Sequence, residues 1–313
     1  MARRTTPHDP RDLDQATVAE LQERIFGWYA ANGRDLPWRR TTDPYAILVS
    51  EIMLQQTQVP RVVPKFAAFL TAYPCLEDLA EAPLDDVLRL WKGLGYNTRA
   101  RRLRDCAAAA AAGDRRPAAL PRSYASLREL PGIGPYTARA VLAFAHNDDL
   151  AAVDANVRRV LTHELDLPAD LGDRELQSVA EAALPRGRSR DWHNALMDFG
   201  ALVLTARVTG IAPRTRQGAF VGSRRWYRSR MLQALVDRGP QSLDQLAVEL
   251  DVTPAVAAGL ADLLARDGLV SRDGACVRVA RGEAQVGTSG ASGADSGADP
   301  AGSVTEARLP DAR

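Results

Sequence analysis

The chain has 313 residues, enough for two modest domains, and its 46% hydrophobic and 25% charged residues are the balance of a soluble globular protein. No uninterrupted apolar run approaches about 18 residues, which excludes a membrane-spanning helix, and the polar stretch Met1–Asp14 lacks the apolar core of a secretory signal. Three scattered cysteines (Cys75, Cys106, Cys276) exclude a disulfide framework, offer no metal-ligand spacing and suit a reducing cytoplasm.

In chain order, residues 1–16 read as a flexible N-terminus. Val18, Leu21, Ile25, Phe26 and Tyr29 recur at helical spacing and predict a helix over 17–31. A turn-like stretch to Pro44 precedes a helix over 45–57. Further helices are expected at 60–72, 76–80, 83–92, 97–112 and 123–129. The segment Leu130-Pro-Gly-Ile-Gly-Pro135 then joins two helices as a tight hairpin. Its glycines leave backbone N–H groups bare at the start of a helix over 136–146, a geometry that suits an anion such as a backbone phosphate. For a lone hairpin of this kind, a plain helix–turn–helix connection is the favoured reading. Helices resume at 155–165, 173–183 and 191–206. Short amphipathic helices at 231–236, 243–250 and 256–264 precede a hairpin around Asp273-Gly274. Three helices and a β-wing suggest a winged-helix-like module over 226–281. Residues 282–313, rich in Gly, Ala and Ser, read as a disordered tail. The main body is all-α.

The distribution of charge is more telling than its sum. Leu88–Arg104 holds six basic residues and no acidic one, and Arg186–Arg230 holds ten arginines against Asp191 and Asp198. Clustered arginine suits phosphate contacts, although an arginine-rich solvated surface reads as well.

Two carboxylates stand out. Ile47 and Leu48 lie one turn before Glu51, and Leu54 one turn after, which puts Glu51 in an apolar stripe. A carboxyl buried there takes a raised pKa and can act as a general acid. The pattern alone leans slightly toward a surface glutamate on a helix placed out of register. Asp154 directly precedes the helix carrying Val157, Val160 and Leu161 and reads as its N-cap, kept ionised by the helix end. One protonated and one ionised carboxyl is the pairing that glycosidic-bond cleavage uses.

At this point several strings are recognisable. They are Leu36-Pro-Trp-Arg39, Ser50-Glu-Ile-Met-Leu-Gln-Gln-Thr-Gln-Val59, Gly93-Leu-Gly-Tyr96 with Arg99-Ala-Arg101, Leu130-Pro-Gly-Ile-Gly-Pro-Tyr-Thr137, and Val153-Asp-Ala-Asn-Val-Arg-Arg-Val160. In that order, over residues 18–204, they resemble the helix–hairpin–helix base-excision glycosylases, and within them the MutY-type adenine DNA glycosylases. The resemblance implies two helical subdomains with the site between them, here 17–44 with 146–222, and 45–145. It implies that Glu51 protonates adenine, chiefly at N7, and then assists the water. Asp154 would stabilise the sugar cation, directly or through a transient covalent bond. Tyr136 and Asn156 would organise the pocket. Gln55, Gln56 and Tyr96 would wedge into duplex DNA as the adenine is flipped out. Arg99, Gly132, Gly134, Thr137, Arg207 and Arg214 are further candidate DNA contacts. Relatives that also cut the strand carry a lysine where Tyr136 stands. The two lysines of this chain, Lys65 and Lys92, lie elsewhere, so a monofunctional enzyme is expected.

Two departures matter. Most relatives ligate a 4Fe–4S cluster with cysteines spaced C-x6-C-x2-C-x5-C. That spacing falls here on Leu204, Ile211, Arg214 and Phe220, so no metal and no cofactor is expected. The usual nudix-like C-terminal domain, which recognises 8-oxoguanine, is too large for residues 226–281. The expectation is a cytoplasmic monomer, nucleoid-associated if prokaryotic, acting on double-stranded DNA with a mispair and on no membrane. The alternatives are thymine or uracil removal opposite guanine, and a non-catalytic DNA-binding protein on the same scaffold.

Overall fold

The computed structural model describes residues 13–113, 117–211 and 218–281. Its elements run α1 (Gln15–Asn32), a 3-10 turn (Pro37–Arg39), α2 (Pro44–Leu54), α3 (Val59–Ala72), α4 (Leu76–Glu81), α5 (Leu84–Trp91), α6 (Thr98–Ala111), α7 (Tyr124–Glu129), α8 (Pro135–Val141), a π-helical turn (Leu142–His146), α9 (Ala155–Glu164), α10 (Asp173–Ala182), α11 (Ser189–Leu202), α12 (Ala206–Thr209), α13 (Arg224–Arg238), β1 (Gln241–Ser242), α14 (Leu243–Leu250), α15 (Pro254–Arg266), β2 (Val270–Asp273) and β3 (Cys276–Val279). No helix of the described residues is long and apolar enough to cross a membrane.

Contacts divide the chain into two compact units, Met1–Ala80 with Asp105–Gln217, and Glu81–Arg104 with Gly218–Arg313. The expected boundaries at 45 and 146 do not coincide with this division. Residues 81–104, expected within the 45–145 subdomain, keep company instead with the C-terminal module. Contacts distant in sequence decide this, and local patterning does not report them. The expected tail 282–313 lies outside the described residues.

In the first unit, α1, α9 and α11 bury Ile25, Val160, Leu161, Trp192 and Leu196 against one another. Trp192 packs on Phe26 with ring centroids 5.4 Å apart. Helix α2 is buried all round, from Tyr45 to Met53, as a central helix must be when every side meets protein. Asp43 caps it and Pro44 occupies its first turn, where a missing N–H costs nothing. It ends at Leu54, three residues earlier than expected, because Gln55 turns extended and Gln56 takes φ 53°. The helix expected over 136–146 also changes form. It is α-helical to Val141 and π-helical from Leu142 to His146, and Arg190 captures the carbonyls of Phe144 and Ala145 at 2.6 and 3.0 Å.

In the second unit, α13 to α15 and an antiparallel sheet of order β1-β3-β2 form the winged-helix arrangement. Helix α13 begins at Arg224, seven residues before the predicted start, and Ser223 caps it by accepting from the Trp226 N–H.

Candidate active site

One cavity of about 470 Å³ lies within the first unit, inside the range of roughly 300–1,000 Å³ usual for small-molecule sites. Glu51, Gln55, Gln56, Tyr136, Asp154 and Asn156 all line it. Residues from three stretches of sequence therefore converge on one chamber.

Glu51 projects from the buried helix α2 and is 7% exposed. Burial pushes its carboxyl up from an ordinary 4.5 to about 7. A hydrogen bond from the Tyr136 hydroxyl to Glu51 Oε2, 2.8 Å, pulls the other way, Asp154 adds to the rise, and Arg39 opposes it. Tyr136 stands in the first turn of α8, delivered by the Leu130–Gly134 hairpin. Its own phenol is driven well above 10 by burial and by the two carboxylates, so it remains a donor.

Asp154 is the N-cap of α9, as its place in the sequence implied. Its Oδ1 accepts from the backbone N–H groups of Asn156 (2.9 Å) and Val157 (2.7 Å), and its Oδ2 from the Asn156 side-chain amide (2.9 Å). Burial nevertheless raises this carboxyl above its ordinary value, against the expectation from the helix end alone. The three N–H donors and Arg159 counter that rise, and all of them favour the anion. Asn156 is itself fixed, its Oδ1 accepting from Arg159 at 2.7 Å. Helix α11 approaches this corner only because residue 200 is glycine. A Cβ there would stand 2.8 Å from Asn156 Cβ and 2.9 Å from its carbonyl oxygen.

Behind the cavity wall stand residues to which no role was given from sequence. Asp198, fully buried on α11, accepts from Arg34 N (2.8 Å) and Nε (2.7 Å), and from both terminal nitrogens of Arg39 (2.8 Å each). Burial raises its carboxyl, but the arginine hydrogen bonds outweigh that and hold it below the ordinary range. This triad clamps the Arg34–Arg39 segment to α11. Trp38 and Arg39 enter the wall on that clamp. Deeper, His193 accepts from the Ala152 N–H at 2.8 Å and its other ring nitrogen faces the Ser189 carbonyl at 2.7 Å. Burial pulls it down to about 4, so it is a neutral strut that holds the backbone at Ala152, two residues before Asp154.

The other expected contacts are not among the residues that line this chamber. Gly132 (φ 78°) turns the hairpin and Gly134 caps α8 with no side chain. Thr137 is 2% exposed, so its side chain is a core element rather than a surface contact. Tyr96 and Arg99 belong to the second unit. The Arg99 guanidinium turns inward, donating to the carbonyls of Leu94 and Gly95 at 3.0 Å each, so it braces its own loop. Arg207 is exposed on α12, and Arg214 lies outside the described residues. Among the candidate cluster positions, Leu204 is buried in the α1–α9–α11 core and Phe220 is 52% exposed. No group of three or more His, Cys, Asp or Glu that could hold a metal occurs among the described residues.

Residues 49–186 match the model of the HhH-GPD superfamily base excision DNA repair proteins. The chain is 38% identical over 283 residues to an adenine DNA glycosylase of Mycolicibacterium smegmatis, covering 83% of this chain and 96% of that protein. It is 37% identical over 205 residues to the human adenine DNA glycosylase, covering 61% of this chain but only 37% of that longer protein. Its fold is similar to a thermostable thymine-DNA glycosylase, with TM-score 0.56 and 31% identity over 61% of this chain and 89% of the other.

Proposed function

The chain belongs to the adenine DNA glycosylases of the HhH-GPD base-excision superfamily, and on that premise we propose how its cavity releases a mispaired adenine. It is a monofunctional DNA glycosylase of base excision repair that hydrolyses the N-glycosidic bond. The observation that carries the mechanism is the contact of the Tyr136 hydroxyl with Glu51 in the chamber that also holds the capped Asp154.

Glu51, protonated near neutral pH by burial, donates to N7 of an adenine flipped into the chamber. The bond from C1′ to N9 then breaks, and its electron pair leaves with the base. The sugar is left as an oxocarbenium-like cation beside the Asp154 carboxylate. Water adds to C1′ and its proton returns to Glu51. No lysine lines the cavity, and Lys92 is paired with Asp237 in the other unit, so no Schiff base forms. Borohydride should therefore trap no covalent DNA complex. The donor set does not fit an iron–sulfur cluster. Leu204, Ile211 and Phe220 supply no thiolate, and Cys75, Cys106 and Cys276 are scattered, so the purified protein should hold no stoichiometric iron.

The substrate is double-stranded DNA with adenine opposite 8-oxoguanine or guanine, bound by a cytoplasmic monomer. Replacing Glu51 with Gln tests the reading. Excision should fall below detection while duplex binding persists, and a protein that only binds DNA would change in neither. The similarity to the thymine-DNA glycosylase favours a second reading, thymine removal opposite guanine. Parallel assays with adenine opposite 8-oxoguanine, adenine opposite guanine, thymine opposite guanine and uracil opposite guanine decide between them.

A further inference from the structure

The second unit holds an aromatic side chain built to project. Tyr96 follows Gly93 (φ 93°) and Gly95 (φ 73°) and itself takes φ 46°, a conformation a tyrosine rarely adopts. It is 38% exposed, although a ring of that size gains by burial. Its surroundings hold it there. Arg99 sits 5.7 Å from the Tyr96 ring centroid and 5.4 Å from that of Trp91, and its guanidinium ties down the Leu94 and Gly95 carbonyls. From 129 residues away in sequence, Arg225 Nη1 donates to the Tyr96 hydroxyl at 3.0 Å, while its Nη2 donates to the Gly218 carbonyl at 3.0 Å.

Arg225 stands in the first turn of α13, the helix that opens the winged-helix module. That helix is fastened along the α5–loop–α6 segment. Arg89 donates to the Val236 carbonyl at 3.1 Å, and Lys92 pairs with Asp237 at 3.1 Å. At the far end of the module, Gly268 lies against the Arg101 guanidinium. The module and the Tyr96 loop are thus one compact unit.

We infer that Arg225 is a positioning residue for DNA recognition: through it the winged-helix module sets the Tyr96 ring for stacking against a base step of the bound duplex. This rests on Tyr96 acting as the wedge that the resemblance to MutY-type glycosylases implies. The module then has a role that does not require α15 to enter a groove. The exposed positions of α15 are Pro254, Ala255, Gly259, Asp262 and Arg266, and of these only Arg266, in its last turn, carries a side-chain donor for base edges.

The test is a double-mutant cycle on the full chain, reading affinity for a duplex with adenine opposite 8-oxoguanine, affinity for the matched duplex, and salt dependence. Tyr96→Phe and Arg225→Ala should each weaken mispair binding by roughly three- to ten-fold, and the double variant should be no worse than either. Arg225→Lys should recover part of the loss, and the slope of affinity against salt should stay unchanged. Full additivity of the two losses, or equal weakening on both duplexes with a salt slope reduced by about one, would make Arg225 a plain phosphate contact and overturn the inference. Tyr96→Ala separates the two levels. If it leaves mispair binding intact, the wedge reading itself fails. If it weakens binding while Arg225→Ala does not, only the role of Arg225 fails.

Discussion

Replacing Glu51 with Gln should change the stability of the protein in a way that depends on pH. The carboxyl is held at about 7 in the fold against an ordinary 4.5. Below pH 4.5 it is protonated both folded and unfolded, and its burial carries no ionisation penalty. Between 4.5 and 7 the unfolded chain releases a proton that the folded chain retains, so stability falls as pH rises through that window. Above 7 the full difference has been lost, about 3 kcal/mol by linkage. Glutamine has the same shape, offers Tyr136 a carbonyl acceptor and does not titrate. Relative to the parent, Glu51→Gln should therefore gain about 3 kcal/mol on going from pH 4.5 to pH 8. Urea unfolding at the two pH values measures this, and melting at pH 8 should rise by several degrees, at roughly 2–4 °C per kcal/mol. An equal stability difference at both pH values would show that Glu51 titrates as an exposed carboxyl and would refute the reasoning.

Three further outcomes follow from the same geometry. Asp154→Asn keeps a competent cap, so stability should change by less than about 1 kcal/mol, whereas single-turnover adenine excision should fall roughly 100- to 1,000-fold with loss of the anion. Tyr136→Phe removes the hydrogen bond that favours the ionised Glu51, so the alkaline limb of the excision rate should move to higher pH; an unmoved limb would mean the 2.8 Å contact has no influence on the acid. Gly200→Ala drives a methyl into Asn156 and its backbone and should cost roughly 1–3 kcal/mol in a thermal melt, with excision reduced because the donors to Asp154 shift with Asn156.

Much of the chamber's lining is legible in the sequence because it is local. Asp154 stands one residue before an amphipathic helix, and capping follows from that place alone. Glu51 was suspicious for its apolar neighbours, although the cause of its burial is broader than one stripe, since α2 is enclosed on all sides. The rest depends on partners far apart in sequence. Asp198 meets Arg39 across 159 residues and Arg34 across 164, so the clamp on the cavity wall leaves no periodic trace. The π-turn is likewise set by Arg190 reaching back to carbonyls 45 and 46 residues earlier. The first half of α13 is not legible in the sequence, because its arginines mask the apolar period that Met231, Leu232 and Leu235 resume.

In the proposed mechanism a buried, protonated Glu51 delivers the proton that frees the base. Its most direct test is the single-turnover rate of adenine excision from a duplex with adenine opposite 8-oxoguanine, measured from about pH 5.5 to pH 9. The rate should hold on the acid side and fall above a midpoint near 7, approaching ten-fold per pH unit as Glu51 ionises. A rate that is flat across this range, or that rises into alkali, would contradict the account.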